Sequence, residues 1–133
     1  MSVPPVFEYA VVRVVPRVER EEFFNVGIIL YCKDRKFLKM KFSLKKTRLE
    51  ALAPGTDPDI LEENLKAFQQ IAHATEPNSA ISQLDPASRF RWLTATRSTM
   101  IQSSKVHPGI CTGEPDDTLE RLFGELVEIN KPS

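Results

Sequence analysis

Arg13 interrupts the apolar run FEYAVVRVV, and a charge in such a run needs water, a partner or a ligand. The connector that follows, PRVEREEFF, supplies Arg17, Glu19, Arg20, Glu21 and Glu22. Arg13 and Arg17 beside Glu21 are the parts of an anion clamp with a general base. The same residues also suit an Arg–Glu pair that merely fixes the connector. Asn25 and Gly27 stand at the entrance of the next apolar run. Asn25 is either a ligand-binding amide or a turn residue, and a glycine inside a strand marks a bulge or a close backbone approach.

A second constellation is Arg89, Arg91, Trp92, Arg97, Ser98, Gln102 and His107. Arginine forks match the paired oxygens of carboxylate and phosphate, and an indole can stack a flat ring. Arg89, Arg97, Ser98 and Gln102 are therefore candidate ligand-binding residues, with His107 as a candidate acid/base. These groups share a pocket only if the helix and strand carrying them fold back on one another. Otherwise Trp92 is core, the arginines are surface and His107 belongs to a turn before Pro108.

A third feature is the cationic stretch from Lys33 to Arg48, in which Asp34 is the lone acid. It could track a phosphate backbone, but lysines on a strand face more often keep that face in water and block edge pairing. Lys+Arg and Asp+Glu balance at 18 each in 133 residues, which makes nucleic acid an unfavoured partner. The five glycines are scattered and form no phosphate loop. No set of His, Cys and Asp residues shows the spacing of a complete metal site, so no metal and no cofactor are expected. The start MSVPPVFEY lacks a signal-peptide pattern and no apolar run is long enough to span a membrane, so a cytoplasmic protein is expected.

These residues must be held by the elements around them. Phe7–Val15 is β-branched and aromatic and stops at Pro16, which lacks a ladder N–H. Val26–Cys32 is apolar throughout, as a strand covered on both faces would be. After a turn at Lys33–Lys36, Phe37–Ser43 alternates, with Leu38, Met40 and Phe42 on one face and Lys39 and Lys41 on a wet one. A short helix is expected over Arg48–Ala53. Asp57-Pro58 starts a longer one, with Leu61, Leu65, Phe68, Ile71 and Ala72 as its apolar stripe. Asp85-Pro86 repeats the start signal; Thr99–Ser103 reads as a strand and Val106–Gly109 as a turn. The last helix, Pro115–Ile129, carries a wide apolar stripe that must pack on something. The expected fold is α+β: an N-terminal three-strand antiparallel meander in a larger sheet, packed by two or three helices including the C-terminal one. Residues 1–133 are expected to form a single domain.

Three segments carry a family resemblance: YAVVRVVPRVEREEFFNVGIILYC (Tyr9–Cys32), RFRWLTATRSTMIQSSKVHPG (Arg89–Gly109) and Leu119–Phe123. In them the chain resembles the bacterial family catalogued as domain of unknown function 3037, whose pattern often has Pro at the position of Thr96. The resemblance implies no established reaction. Such proteins are often encoded beside kinase-like proteins similar to the HipA kinases, which implies a protein partner of that kind. The expected function is thus an accessory or adaptor domain that binds another protein. The alternative is an anion- or nucleotide-binding protein, or an enzyme on a phosphorylated substrate, using the Arg/Ser/Gln/His cluster.

Overall fold

A computed structural model describes residues 4–16, 22–75, 79–95 and 99–128. The N-terminal meander is present: β1 (Val6–Val14), β2 (Phe24–Cys32) and β3 (Phe37–Phe42) are antiparallel neighbours. The turn between β2 and β3 is a single 3-10 turn, Lys33–Arg35, closed by Lys36 at φ 53°. Helices α1 (Lys46–Leu52), α2 (Pro58–His73) and α3 (Pro86–Leu93) follow, then β4 (Ile101–Ser103), β5 (His107–Ile110) and α4 (Pro115–Leu126). The sheet order is β3-β2-β1-β4, and β5 also pairs with β1, so the architecture is α+β.

Both faces of the sheet are covered. Val12, Val14, Ile29, Tyr31, Leu38 and Met40 pack with Leu61 and Leu65 of α2 and Phe90 and Leu93 of α3. Phe7, Val11, Ile28, Leu30 and Cys32 pack with Leu119, Leu122 and Phe123 of α4. Starts of α2 and α3 follow the Asp-Pro signals. Asp57 caps α2 by accepting the Asp59 N–H at 2.9 Å, with Pro58 in the first turn, and Pro86 opens α3.

Two sequence expectations are corrected. Val106–Gly109 is not a turn: His107–Ile110 is a strand against Val6–Tyr9. Pro108 is tolerated because Cys111 N–H bonds Pro5 O, which puts the ladder bonds at alternate residues and leaves Pro108 facing outward. Gly109 is used because the Phe7 ring lies over it. Between β4 and β5 one extra residue bulges, since Ser104–Val106 face only Ala10 and Val11. Ser104 repairs the ladder there: its N–H bonds Val11 O, and its hydroxyl accepts the Val11 N–H at 2.8 Å.

The second correction concerns Lys39 and Lys41, whose face is not simply wet. Four cations of the basic stretch meet acids on or flanking α4: Arg35–Glu114, Lys39–Asp116, Lys41–Glu120 and Lys45–Glu128. Lys46 meets Asp59 of α2. Each exposed pair is worth at most about 1 kcal/mol, but together they align α4 over β3.

The sheet's outer edges are blunted. On β3, Met40 donates its N–H to His73 Nε2 at 3.1 Å, and Gln69 Nε2 donates to Met40 O at 3.0 Å. On β4, the Thr99 hydroxyl donates to Ile101 O at 2.8 Å. On β5, Pro108 removes a donor. To accept from Met40, His73 must be neutral at Nε2. Burial, then the Lys39 charge, push its pKa below the ordinary 6.5. A depressed pKa means the unfolded chain takes up the proton first. The bond's contribution is thus complete above pH 6.5 and fades as pH falls through the lower folded value. We expect a urea midpoint that drops between pH 7.5 and 5.5 more in wild type than in His73→Gln. The loss should be well under the roughly 1 kcal/mol of a typical hydrogen bond, because His73 is only partly buried. Parallel profiles for the two proteins would refute this role.

Candidate functional site

An apolar groove of about 540 Å³ runs between α2, the end of α3 and the strand end at Met100–Ile101. Helical spacing puts Ile60, Asn64, Ala67, Phe68 and Ile71 along one side of α2, and Trp92 and Met100 close the opposite wall. The Phe68 and Trp92 rings meet at 6.1 Å between centroids. Ile60 is 57% exposed, an unusual position for a large apolar side chain beside further apolar surface. Polar groups at the groove are few: Thr56, Asp57, Asn64 and Thr99. Glu63 does not line the groove, but it is exposed and helical spacing sets it beside Ile60 at i+3 and Ala67 at i−4, next to the groove's edge.

The register places part of the first sequence constellation on the opposite, α4 face. Arg13 pairs with Asn25 on β2 and with Gln102 on β4, so the three side chains form a row across adjacent strands. The row depends on a bulge. Residues Glu8–Val12 pair with Tyr31–Gly27 in one register, which then shifts by one residue at Val26. Without that shift Asn25 would oppose Val14, on the other face. Asn25 donates Nδ2–H to Leu126 O at the end of α4, at 3.0 Å. The Arg13 guanidinium lies 4.2 Å from the Phe23 ring centroid. Arg13 Nε and Asn25 Oδ1 are buried without a hydrogen-bond partner among the described residues, and Gln102 Nε2 donates to Thr99 O. Arg17 and Glu21 lie outside the described residues.

The second constellation is dispersed. Trp92 lines the groove, whereas Gln102 is on the α4 face with Arg13. His107 is on β5, its ring 5.3 Å from that of Tyr9. Arg91 is exposed and donates to the Ser88 hydroxyl at 3.1 Å. Arg89 is only 8% exposed, and its Nε and Nη1 have no hydrogen-bond partner among the described residues. Arg97 and Ser98 lie outside the described residues. Among the described residues no three His, Cys, Asp or Glu gather as metal ligands, and no helix is long and apolar enough to cross a membrane. Sequence reading missed Ile60, Asn64 and Ala67 because they extend the α2 stripe beyond the residues its core contact needs. The excess width of that stripe was the available signal.

Comparison with known proteins gives one match. The model of the family described as "Protein of unknown function (DUF3037)" covers residues 9–127. No curated protein and no solved structure matched.

Proposed function

The chain belongs to the DUF3037 family, and we propose that it works as a cytosolic adaptor that binds a segment of another protein in the groove beside Trp92. The groove carries this reading, because the α4 stripe and the strand edges are engaged within the chain and about half of the basic stretch is. The apolar stripe of α4 is spent on the sheet, with Leu119, Leu122 and Phe123 buried. Strand addition is disfavoured by His73, Gln69, Thr99 and Pro108 at the edges. Four of the eight cations of the basic stretch meet acids on or flanking α4, which weakens the case for nucleic acid.

The occupant we favour is an amphipathic helix with apolar side chains at helical spacing and a Lys or Arg reaching Asp57 and Glu63. The acidic rim disfavours a fatty acid or an anionic lipid. A kinase-like protein is the partner that the family resemblance suggests. Buried free thiols at Cys32 and Cys111 fit a reducing compartment.

Trp92 is the only tryptophan of the chain and therefore reports on the groove. The protein is captured from its native lysate, and helical segments of a recovered partner are titrated against it. We expect a saturable change in Trp92 emission. Ile60→Asp should weaken binding by at least about 2 kcal/mol, some thirtyfold, as expected for a charge placed in an apolar anchor point. A partner bound equally well by Ile60→Asp, or no specific partner, defeats the reading.

A further inference from the structure

A separate pocket of about 530 Å³ opens where the start of β2 meets the ends of α1 and α4, and it shares no lining residue with the groove. Phe23, Asn25, Arg48, Leu52 and Leu126 are among its walls. Arg48 is its one charged lining residue and is in no ion pair among the described residues. Phe23 and Leu52 are 47% and 39% exposed, so the pocket mouth is apolar. Arg13 is not a lining residue, but its guanidinium lies 4.2 Å from the Phe23 ring centroid, and its cross-strand neighbour Asn25 donates to Leu126 O. Arg13 Nε is a buried donor without an acceptor, and Asn25 Oδ1 a buried acceptor without a donor, among the described residues. Arg48 and the unspent Arg13 Nε–H are donors suited to an oxyanion, Asn25 Oδ1 is an acceptor that an oxyanion does not satisfy, and the apolar mouth suits an apolar body attached to the anion.

We propose that this pocket binds a small organic oxyanion, a carboxylate or phosphate joined to an apolar group. Arg48 takes the anion, Arg13 supplies the second positive charge, and Phe23 and Leu52 hold the apolar part. The Lys45–Glu128 pair is internally neutral, and Glu22, next to Phe23 in the chain, lines the adjoining pocket that shares Ala51 and Leu52, so against that one acid Arg13 and Arg48 leave the region net positive.

The test is an amide-resolved NMR titration of the full chain with phenyl phosphate, benzoate, inorganic phosphate and benzyl alcohol. Saturable shifts at Asn25, Arg48 and Leu126 are expected with an aryl anion, and whether phenyl phosphate or benzoate binds more tightly identifies the anion. Arg48→Gln should lose at least about tenfold in affinity while its spectrum stays folded, because Arg48 is partly exposed. Ile60→Asp should bind as wild type does, which separates this site from the adaptor groove. No saturable shift up to about 10 mM, unchanged binding in Arg48→Gln, or equal binding of benzyl alcohol overturns the proposal. Inorganic phosphate binding as tightly as phenyl phosphate also overturns it, since the apolar walls would then contribute nothing.

Discussion

Gly27→Ala should destabilise the fold by about 3 kcal/mol, the upper end of the range for overpacking a core. A Cβ at this position would lie 2.8 Å from the backbone oxygen of Lys41 and 3.0 Å from Phe42 Cβ. The nearest obstacle is backbone on a neighbouring strand, so no side-chain rotation relieves it. Gly27 also adjoins the shifted register at Val26, so strain there acts on the bulge that brings Asn25 beside Arg13. Gly109→Ala is the informative contrast. Its Cβ would fall 2.3 Å from Phe7 Cζ, a closer approach, but to the far end of a side chain. Shortening that side chain with Phe7→Leu should recover part of the loss at Gly109 and none of the loss at Gly27. Urea midpoints at constant slope, arranged as two double-mutant cycles, measure both couplings. Equal coupling of Phe7→Leu to the two glycine variants would contradict this account.

The same contacts explain what a single sequence could reveal. The meander was legible because alternation, Pro16 and the apolar run of β2 are local signals. So were the helix starts, since Asp57-Pro58 and Asp85-Pro86 act within one turn. His107-Pro108-Gly109 reads as a turn on composition, yet pairing with Val6–Tyr9 overrides it, because an outward Pro and a glycine beneath Phe7 both fit an edge strand. The basic stretch was legible as charge but not as a partner for α4, since Lys39 and Asp116 are 77 residues apart. The α4 stripe did have to pack on something, and that something is the chain's own sheet. The row of Arg13, Asn25 and Gln102 was beyond reach for a sharper reason. Its assembly turns on a one-residue bulge, and a slip of one residue exchanges the faces of a strand. Arg89 was named as a candidate, but its burial was not foreseen, because Arg is rarely this buried without a partner.

Arg89→Met should raise stability by about 1–3 kcal/mol, the desolvation penalty of a buried polar group left without a hydrogen-bond partner. The guanidinium sits on α3 between positions that build the core, with Phe90 and Leu93 buried beside it in sequence. Its Nε and Nη1 have no partner among the described residues, so the desolvation cost is not repaid by hydrogen bonds there. Asp85, the acid one turn back, is engaged by Ser88, whose hydrogen bond holds the Asp85 carboxyl below its ordinary range. Methionine keeps an unbranched stem of similar length and removes the charge. For a chain of this size the gain amounts to several degrees in Tm. A loss of about 3 kcal/mol or more would instead mean that the charge is paired in solution, because stranding the other half of a buried pair is what costs that much. A variant that gains stability but loses partner capture or aryl-anion binding would identify Arg89 as a residue held at a stability cost for recognition. Gain with both activities intact would assign it to neither site.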